Sequence, residues 1–535
     1  MRRWNGWGDV RIDYPLPASA ALYLENVLGS GLKQPDATLE HTLECMPASR
    51  LDDQALFTRD PMQRLLHARG QSLPDWVALR SGEIGAFPDG VAFPEDYAQI
   101  AAILAYAKSA QIHLIPYGGG TSVVGHINPL PNGTPVLSVD CSRLNGLYQL
   151  DETDRLATFG AGTSGPDLES ALNMRGYTLG HYPQSFEYST LGGWIATRST
   201  GQQSYYYGRI EQLLAGCRLE TLQGTLELAP IPASAAGPDL RQIILGSEGR
   251  LGVITQAQVR IRRLPEVEAF YAAFFPDWGC GVAALQNLAQ ERVRASMLRL
   301  SDAQETETTL VLSGQDRLVA WAQRGLNLLG YGPERCLMIY GLTGSRLETQ
   351  LAQRRLVEIT RAHRGLPVGE PIGKIWKKSR FRSPYLRNTL WEHGYALDTL
   401  ETAVPWKHVM PLAAALKSLI ASGLEAQGER VLVFAHLSHV YETGASIYVT
   451  FLFRRGKEPQ ETLRRWQKLK SSASQEILAY GGTISHQHGV GLDHAPYLPA
   501  EKGSLGVAAL KEMVHTWDPG GLLNPGKLVS GSTQS

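Results

Sequence analysis

Three consecutive glycines constrain this chain more than any other feature, because they require a backbone loop that comes close to another group. Gly118, Gly119 and Gly120 lie in the segment IPYGGGTSVVGH at 115–126. Glycine lacks a Cβ, so the loop can adopt positive φ angles and its free N–H groups can surround a pyrophosphate. The spacing is neither GxGxxG nor GxxxxGK[ST], so it indicates neither a Rossmann fingerprint nor a Walker loop. An ordinary glycine-rich turn remains open as the alternative.

Two further loops of small residues follow the first. SFEYSTLGGWIATRST spans 185–200 and LGSEGRLGVIT spans 245–255, and each lies beside a predicted apolar strand or helix. The first loop follows a predicted helix at 96–111 and a short strand at 113–116. Three such loops suit an extended cofactor better than three accidental turns, because its pyrophosphate, ribityl and ring parts need contacts along its length.

These loops resemble the FAD-binding domain of the vanillyl-alcohol oxidase / p-cresol methylhydroxylase flavoprotein family. Within it, the chain is similar to the alkyldihydroxyacetonephosphate synthase (alkylglycerone-phosphate synthase) branch. The motifs that carry this resemblance are RWNGWG at 3–8, PYGGGTS, STLGGWIATR, GSEGRLGVIT, LRLSD at 298–302, LETAVPW at 400–406, SHQHGVG at 485–491 and the ending WDPGGLLNPGKL. The resemblance implies an α+β fold: a two-subdomain FAD-binding domain of the p-cresol methylhydroxylase type, an α/β substrate (cap) domain and a C-terminal helical segment.

The alternation of predicted strands and helices sets the expected boundaries. They are a helical extension at 1–85, the FAD-binding domain at 86–264, the substrate domain at 265–482, and a segment at 483–535 whose histidine motif returns to the flavin. In the substrate domain we predict, among others, a helix at 317–328 and an antiparallel strand pair at 431–439 and 446–453. A tail helix at 503–516 ends before Asp518-Pro519-Gly520.

The resemblance also implies how the cofactor is held. Many relatives bind FAD covalently through a histidine just after the glycines, where this chain has Thr121, so FAD is expected to be non-covalent; His126 is interpreted as a loop residue. The expected FAD-binding residues are Pro116, Tyr117, Gly118, Gly119, Gly120, Thr121, Ser122, Gln184, Ser185, Ser189, Thr190, Gly193, Thr197, Arg198, Ser199, Glu248, Gly249, Leu251, Gly252, Val253 and Ile254.

The densest ionisable cluster is Ser485-His486-Gln487-His488-Gly489. Alternate residues of an extended segment point the same way, so His486 and His488 are predicted to face one site and to bind a metal or shuttle protons. Two structural loop histidines are the alternative. The synthase family has three consecutive histidines here, whereas this chain has Gln487 in the middle. The resemblance places the active-site tyrosine at Tyr448, which would otherwise be interpreted as a strand aromatic.

Two arginines match substrate-binding positions of the resembled family. Arg387, in SPYLRNTL, matches the arginine that binds the substrate phosphate, and a guanidinium suits that anion. Without the resemblance it would be a surface helix residue. Arg299, in LRLSD, matches a second arginine of the pattern, but here the chain continues after a short spacer into Glu305-Thr306-Glu307 and a predicted strand. The basic run from Lys374 to Arg382 is either a solvated face or a region that attracts an anionic substrate or headgroup.

The resemblance implies ether-lipid synthesis: a fatty alcohol replaces the acyl group of acyl-dihydroxyacetone phosphate. The alternative is an FAD-linked oxidoreductase that oxidises a D-2-hydroxy acid or a related alcohol. Such relatives bind a metal through GHxGDGNxH and Glu-His-Gly-Ile-Gly motifs. Here the first reads FAHLSHVYETG and the second has Gln487 in place of the carboxylate. This difference favours the transferase, and no metal is expected.

Composition restricts the partners and the compartment. There are 51 basic and 51 acidic residues, so nothing favours nucleic acid. The five cysteines are scattered without a CxxC motif, which indicates a reducing compartment. We find no signal peptide and no apolar run long enough to span a bilayer. The expectation is a cytoplasmic enzyme, with possible peripheral membrane contact to reach its lipid substrate and fatty alcohol, and a possible homodimer.

Overall fold

The computed structural model describes residues 1–312 and 323–529. Its first part is a set of short helices that pack against both later parts of the chain. They are α1 (Ala18–Leu28), α2 (Leu39–Glu44), α3 (Pro61–Leu66) and α4 (Leu73–Ser81). Helix α4 begins with a capping box, in which Ser72 and Asp75 satisfy each other's backbone N–H groups, so the sequence S-x-x-D fixes its start.

Two sheets carry the glycine loops. A parallel sheet has the order β1 (Gly90–Ala92), β3 (Val136–Asp140), β2 (His113–Tyr117), and α5 (Tyr97–Ala110) connects β1 to β2. The Asp96 side chain caps α5 by accepting the Gln99 N–H. The second sheet is antiparallel, with the order β4 (Leu147–Asp151), β5 (Leu156–Gly160), β9 (Val253–Arg260), β7 (Leu214–Thr221), β8 (Gly224–Leu228). Beside it lie α6 (Gly165–Asn173), α7 (Leu191–Thr197), α8 (Ser204–Tyr207), α9 (Ile210–Leu213), α10 (Arg241–Ile244) and the pair β6 (Tyr177–Thr178) and β10 (Arg262–Arg263).

A large antiparallel sheet forms the centre of the second half. Its strand order is β14 (Leu366–Gly369), β11 (Val267–Phe275), β13 (Cys336–Gly344), β12 (Met297–Ser301), β16 (Val431–Leu437), β18 (Gly444–Arg454), β15 (Tyr395–Pro405), and β17 (Val440–Tyr441) pairs with β18. Its helices are α11 (Trp278–Gln290), α12 (Ala303–Leu312), α13 (Arg346–Ala362), α14 (Pro371–Ser379), α15 (Ser383–Glu392), α16 (Trp406–Ser422) and α17 (Pro459–Ala479). One face of the sheet and α11, α13 and α16 enclose a single hydrophobic core.

The C-terminal part returns to the glycine loops. After α18 (Leu498–Trp517), Leu523 forms a parallel bridge to Leu114 of β2. The Asn524 side chain donates to the carbonyl oxygens of His126 and Glu248, so it ties two of the three small-residue loops together. Leu523 and Asn524 therefore complete the region around β2 and the glycine loop, which lies about four hundred residues earlier in the sequence.

Three predicted elements differ from the structure or lie partly outside the described residues. From the sequence a strand is expected after Glu305-Thr306-Glu307, but this segment forms α12, since Asp302 caps the Glu305 N–H at 2.7 Å and starts a helix. The first half of the predicted helix at 317–328 lies outside the described residues, and residues 323–328 are helical. The tail helix begins five residues earlier than predicted and is kinked at Gly503, whose φ is +71°.

We expected no segment long and apolar enough to cross a membrane, and by length and composition this expectation was wrong. Within the described residues one helix, Trp406–Gln427, meets that criterion. It nevertheless packs onto β16, β18 and α17, and Leu412, Leu416 and Ile420 lie in the central core. This placement is that of a core helix.

Candidate active site

The glycine loop borders a cavity of about 560 Å³, which is in the usual range for small-molecule and cofactor sites. The loop leaves β2 and packs against the second loop so closely that side chains are excluded. A Cβ on Gly119 would lie 1.8 Å from the carbonyl oxygen of Tyr188, and one on Gly118 would lie 2.4 Å from Thr190 Oγ1. Gly120 has a φ of +64°. The three glycines are therefore required by contact and by conformation.

The three small-residue loops meet along one side of this cavity. Of the expected FAD-binding residues, those that line it are Pro116, Tyr117, Gly118, Gly119, Gly120, Thr121, Ser122, Gln184, Ser185, Ser189, Thr190, Gly193, Thr197, Ser199, Glu248, Gly249, Gly252, Val253 and Ile254. Two predicted residues do not line it. The Arg198 side chain extends to Gln242, 3.2 Å away, and Leu251 is buried in the core of the second sheet.

This wall fits a non-covalent dinucleotide such as FAD. It offers glycine backbone at close range together with hydroxyl donors from Thr121 and Ser122. Thr121 has no nucleophilic side chain of the kind that attaches flavin in relatives. His126, the nearest histidine, is buried, with its Nδ1 atom 2.8 Å from Ser122 Oγ and its Nε2 atom 3.1 Å from Glu248. Its contacts hold the loop in shape, as the sequence interpretation expected.

Arg387 faces the cavity from α15. One guanidinium nitrogen donates to the carbonyl oxygen of Gln71 at 2.5 Å, and the group lies over the Trp76 ring, 4.4 Å from its centroid. Its Nε and Nη2 atoms are buried and have no hydrogen-bond partner among the described residues. Burial lowers the pKa of Arg387 to about 10, so the group is still a cation at neutral pH. Two unused charged donors that border a cavity form a binding position for a phosphate.

Arg299 lies in the same cavity, but its charge is already paired. Its guanidinium contacts Glu305 Oε1 at 2.9 Å, and the same carboxylate oxygen lies 2.9 Å from His436 Nδ1. Burial raises the pKa of this carboxyl, but His436 and Arg299 outweigh that effect and hold it below its usual value. Arg299 is therefore a weaker candidate for anion binding than Arg387.

Tyr448 and His488 line the cavity together. The two rings meet edge to face with centroids 6.1 Å apart, and Tyr448 also stacks on His436 at 4.7 Å. Burial raises the pKa of Tyr448 to about 12 and lowers the pKa of His488, so both groups are neutral near pH 7. A neutral phenol and a neutral imidazole that line the same cavity can act as proton donor and proton acceptor toward a bound substrate.

His486 does not share a face with His488, contrary to the prediction. Its ring lies behind the cavity wall, where Nε2 is 2.6 Å from the Tyr441 hydroxyl and 2.9 Å from an Arg209 nitrogen. The segment turns at Gly489, whose φ is +78°, and Gln487 and His488 reach the cavity in its place. Strict alternation of side chains holds only for an extended strand, and this loop is not one.

Four polar residues at the site were not singled out from the sequence: His436, His439, Glu401 and Arg209. His436 and His439 line the cavity, and Glu401 is completely buried and accepts a hydrogen bond from Gln487 Nε2 at 2.5 Å. The sequence FAHLSH shows an H-x-x-H spacing, but from the sequence we compare it only with the metal-binding motif GHxGDGNxH, which it does not match. No local signal marks Glu401, because it becomes part of the site only through pairing of β15 with β18.

The loop that carries His488 is hydrogen-bonded to the third small-residue loop. The Glu248 carboxylate accepts the backbone N–H groups of Val490 and Gly491, the latter at 2.9 Å. Glu248 itself has a φ of +53°. One carboxylate thus connects the third small-residue loop with the loop that carries His488.

Comparisons with known proteins agree with this geometry. Residues 88–229 match the family model described as FAD binding domain, and residues 264–528 match that of the FAD linked oxidases, C-terminal domain. The alkyldihydroxyacetonephosphate synthase of Dictyostelium discoideum is 30% identical, over 98% of this chain and 93% of its own length. A solved alkyldihydroxyacetonephosphate synthase structure superposes with a TM-score of 0.85 at 28% identity, over 98% of this chain and 99% of that one. Substrate-bound p-cresol methylhydroxylase, 12% identical, has a TM-score of 0.68 over 96% of this chain and 97% of its own, and supports the fold alone.

Proposed function

The chain belongs to the alkyldihydroxyacetonephosphate synthase family, and we propose that it uses FAD to exchange the acyl group of acyl-dihydroxyacetone phosphate for a fatty alcohol. In this exchange the bond between C1 and the acyl oxygen breaks and the fatty acid leaves. A bond from C1 to the alcohol oxygen forms, the alcohol gives up its proton, and there is no net oxidation. The same chemistry makes the protein a transferase of ether-lipid synthesis.

The observation that carries this proposal is the pair of unpartnered guanidinium nitrogens of Arg387. Arg387 lines the cavity that the glycine loop also borders, so an anionic substrate and FAD can occupy one site. A phosphate between these nitrogens would regain the hydrogen bonds that the buried group lacks. The Trp76 ring beneath the guanidinium keeps it in this orientation.

The remainder of the cavity wall suits a long alkyl chain. Its apolar lining includes Leu24, Met297, Leu312, Leu390, Leu397, Phe434 and Leu452. These residues come from α1, α12, α15 and the central sheet, so the apolar region begins on the substrate side and lies away from the glycine loops. Burying a fatty chain there is favourable in proportion to the apolar area removed from water.

The chain's own residues divide the remaining work. The three small-residue loops would hold FAD, whose isoalloxazine ring would supply the chemistry that activates the ketone. Arg387 binds the phosphate and fixes the three-carbon unit. Tyr448 and His488 hold and pass the proton that leaves C1 or the incoming alcohol, since they are neutral and adjacent. His486 lies behind the cavity wall, where its contacts with Tyr441 and Arg209 hold the loop that carries His488.

The oxidoreductase alternative has less support from the same residues. Its relatives place a carboxylate where this chain has Gln487, and that amide here donates to the Glu401 side chain. Oxidation of a D-2-hydroxy acid would also leave the long apolar part of the cavity unused. The two reactions differ in whether an electron acceptor is needed.

We further propose peripheral contact with a membrane in the cytoplasm, through α14. This helix exposes Ile375, which is 56% accessible, and Lys378, whereas Lys374 and Lys377 form ion pairs with Glu370 and Glu268. Trp376 of the same helix lines the cavity. An exposed apolar residue among cations beside the lipid site suits an anionic bilayer surface. A homodimer remains a prediction that sedimentation or size-exclusion measurements test.

The deciding experiment uses purified FAD-loaded protein without oxygen or an electron acceptor. Acyl-dihydroxyacetone phosphate and a labelled long-chain alcohol are added, and the phosphate product is analysed for label. Incorporation with release of one fatty acid per label is the expected result. Absence of label, together with bleaching of the flavin by a D-2-hydroxy acid, would reject the transferase in favour of the oxidoreductase.

A further inference from the structure

Gln487 lines the cavity, and nothing in the proposed exchange involves it. Its chain neighbour His486 lies behind the cavity wall, and its other neighbour, His488, meets the Tyr448 ring edge to face. An amide exchanges no proton near neutral pH, unlike an imidazole, so Gln487 acts only by donating or accepting hydrogen bonds. The groups behind the wall decide which of the two it does in the cavity.

His486 carries its ring proton on Nδ1. The Arg209 guanidinium can only donate hydrogen bonds, and one of its nitrogens lies 2.9 Å from His486 Nε2. Nε2 therefore has the lone pair, and the Tyr441 hydroxyl lies 2.6 Å from the same atom. The proton is left on Nδ1, which is 3.0 Å from Glu401 Oε1. The His486 ring thus presents an N–H, and no lone pair, to Glu401.

Glu401 is a completely buried carboxylate that can only accept. Burial alone would raise the pKa of Glu401, but His486 outweighs this effect and holds the pKa below its usual range. Its Oε1 atom faces His486, and its Oε2 atom lies 2.5 Å from Gln487 Nε2. Because an ionised carboxylate has no proton to donate, the Gln487 atom that contacts it must be the amide nitrogen. The orientation of the Gln487 amide is thereby fixed.

The amide oxygen of Gln487 is the atom left for the cavity. Its Nε2 atom is engaged by Glu401, whereas its Oε1 atom has no partner in the described part of the chain and keeps accessible surface. Tyr448 and His488, the two groups of the proposed proton shuttle, line the same cavity. The loop therefore offers a neutral hydrogen-bond acceptor, which does not titrate, beside the shuttle.

The molecules that enter and leave during the exchange differ in what they offer to such an acceptor. Acyl-dihydroxyacetone phosphate has ester, ketone and phosphate oxygens but no hydroxyl group on carbon. The fatty alcohol has one hydroxyl group at the end of its chain, and that group is a donor. The departing fatty acid is a carboxylate at neutral pH and has only acceptors. A polar atom that stays unpaired in a desolvated site is costly, so this oxygen favours the ligand that donates to it.

We propose that Gln487 is a specificity-determining residue, whose Oε1 atom accepts the hydroxyl hydrogen of the incoming fatty alcohol and disfavours the departing fatty acid. The assignment rests on the proposed exchange reaction. The hydrogen bond leaves the lone pairs of the alcohol oxygen free to form the bond to C1. As that bond forms, the O–H bond breaks and the proton passes to the neutral His488, since an amide takes up no proton. Glu401 and His486 act through Gln487, as positioning residues.

The test uses FAD-loaded protein without an electron acceptor, acyl-dihydroxyacetone phosphate and labelled 1-hexadecanol. Gln487→Met keeps the length of the side chain and removes its oxygen. We expect the KM for the alcohol to rise about 3- to 10-fold, the range for loss of one neutral hydrogen bond, and the KM for the phosphate substrate to stay unchanged. Inhibition by 1-methoxyhexadecane, which has the chain but no O–H, should be equally strong in both proteins. Gln460→Met is the matched control, because Gln460 also donates to a carboxylate, that of Glu83 at 2.7 Å, but on the exposed surface.

A second variant separates an acceptor from a packing residue. In Gln487→His a neutral imidazole can donate to Glu401 with one nitrogen and accept with the other, whereas a protonated one has no acceptor. The alcohol KM of this variant should be close to that of the parent at pH 8 and should rise about 3- to 10-fold at pH 6, relative to the parent at the same pH. Flavin content verifies that each variant is folded, and Gln487→His decides the matter should Gln487→Met lose FAD.

The outcomes distinguish this assignment from the exchange reaction itself. Label incorporation by the parent, with an unchanged alcohol KM in Gln487→Met or with equal increases in both KM values, would overturn the role of Gln487 and leave the exchange standing. An alcohol KM in Gln487→His that does not depend on pH would do the same. A parent protein that incorporates no label would reject the exchange, and this assignment with it.

Discussion

Glu401 and Tyr448 lie directly opposite each other on neighbouring antiparallel strands, β15 and β18. Paired residues project from the same face of a sheet, so this register places the buried carboxylate beside the phenol that lines the cavity. Glu401 holds Gln487, and the next residue in the chain, His488, meets the edge of the Tyr448 ring. Pairing between two strands therefore sets the distance between the two groups of the proposed proton shuttle.

Tyr448→Phe should reduce kcat by about 100-fold or more, since a positioned acid or base typically contributes this much. The ring would still stack on His436, so FAD absorbance and the melting temperature should be unchanged. Tyr395→Phe is the control, because Tyr395 does not line the cavity and its hydroxyl bonds the Gly29 carbonyl. Full activity of Tyr448→Phe would return this residue to the role of a packed strand aromatic.

Arg387→Met should raise the KM for the phosphate substrate about 10- to 100-fold, because hydrogen bonds to a charged group contribute roughly 1.5–3 kcal/mol. FAD content should not change, as Arg387 lies on the substrate side. The exposed Arg382, five residues earlier, gives the control Arg382→Met. Steady-state kinetics at varied substrate concentration separates the two variants, and an unchanged KM in Arg387→Met would remove its role.

Glu248→Gln should lower kcat by about 10-fold while FAD remains bound. The amide supplies one carbonyl oxygen, where the carboxylate now accepts two N–H groups, from Val490 and Gly491, so the His488 loop loses part of its attachment. Limited proteolysis should then cut the loop at 485–491 faster than in the parent protein. Glu227→Gln, at an exposed position on β8, should behave like the parent, and equal protease resistance in both would argue against the tether.

FAD should be released when the protein is denatured with acid, because Thr121 offers no attachment chemistry and His126 is engaged with Ser122. Precipitation with trichloroacetic acid followed by fluorescence of the supernatant measures this directly. Yellow colour retained in the pellet would mean a covalent flavin and would contradict the interpretation of this loop.

The protein should lose stability as the pH falls below about 6.5. Burial lowers the pKa of His181, His439 and His494 to about 3 in the folded state. Between these values and the ordinary pKa of about 6.5, the unfolded chain binds protons and the folded chain does not, so unfolding becomes easier by up to about 1.4 kcal/mol per pH unit for each histidine. Melting temperatures from pH 7 to pH 5 test this, and His181→Phe should make the decrease shallower.

The cofactor side was largely predictable from sequence because its determinants are local. Gly120 is required by its own φ of +64° and Gly119 by its contact with Tyr188 of the neighbouring loop, and nearly all the expected residues line the cavity. The substrate side was less predictable: a strand was expected after Glu305-Thr306-Glu307, but the side-chain cap from Asp302 produces a helix there. The orientation of His486 and the presence of Glu401 depend on a turn at Gly489 and on strand register, which no local pattern encodes.

The bridge between Leu114 and Leu523 has a consequence for folding. Strand β2 pairs with β3 on one side, and its contact with Leu523 joins two segments about four hundred residues apart in the sequence. The Asn524 side chain joins the His126 and Glu248 loops in the same region. Closing so long a stretch of chain costs entropy and slows folding, so the dinucleotide pocket is completed late in the folding of the protein.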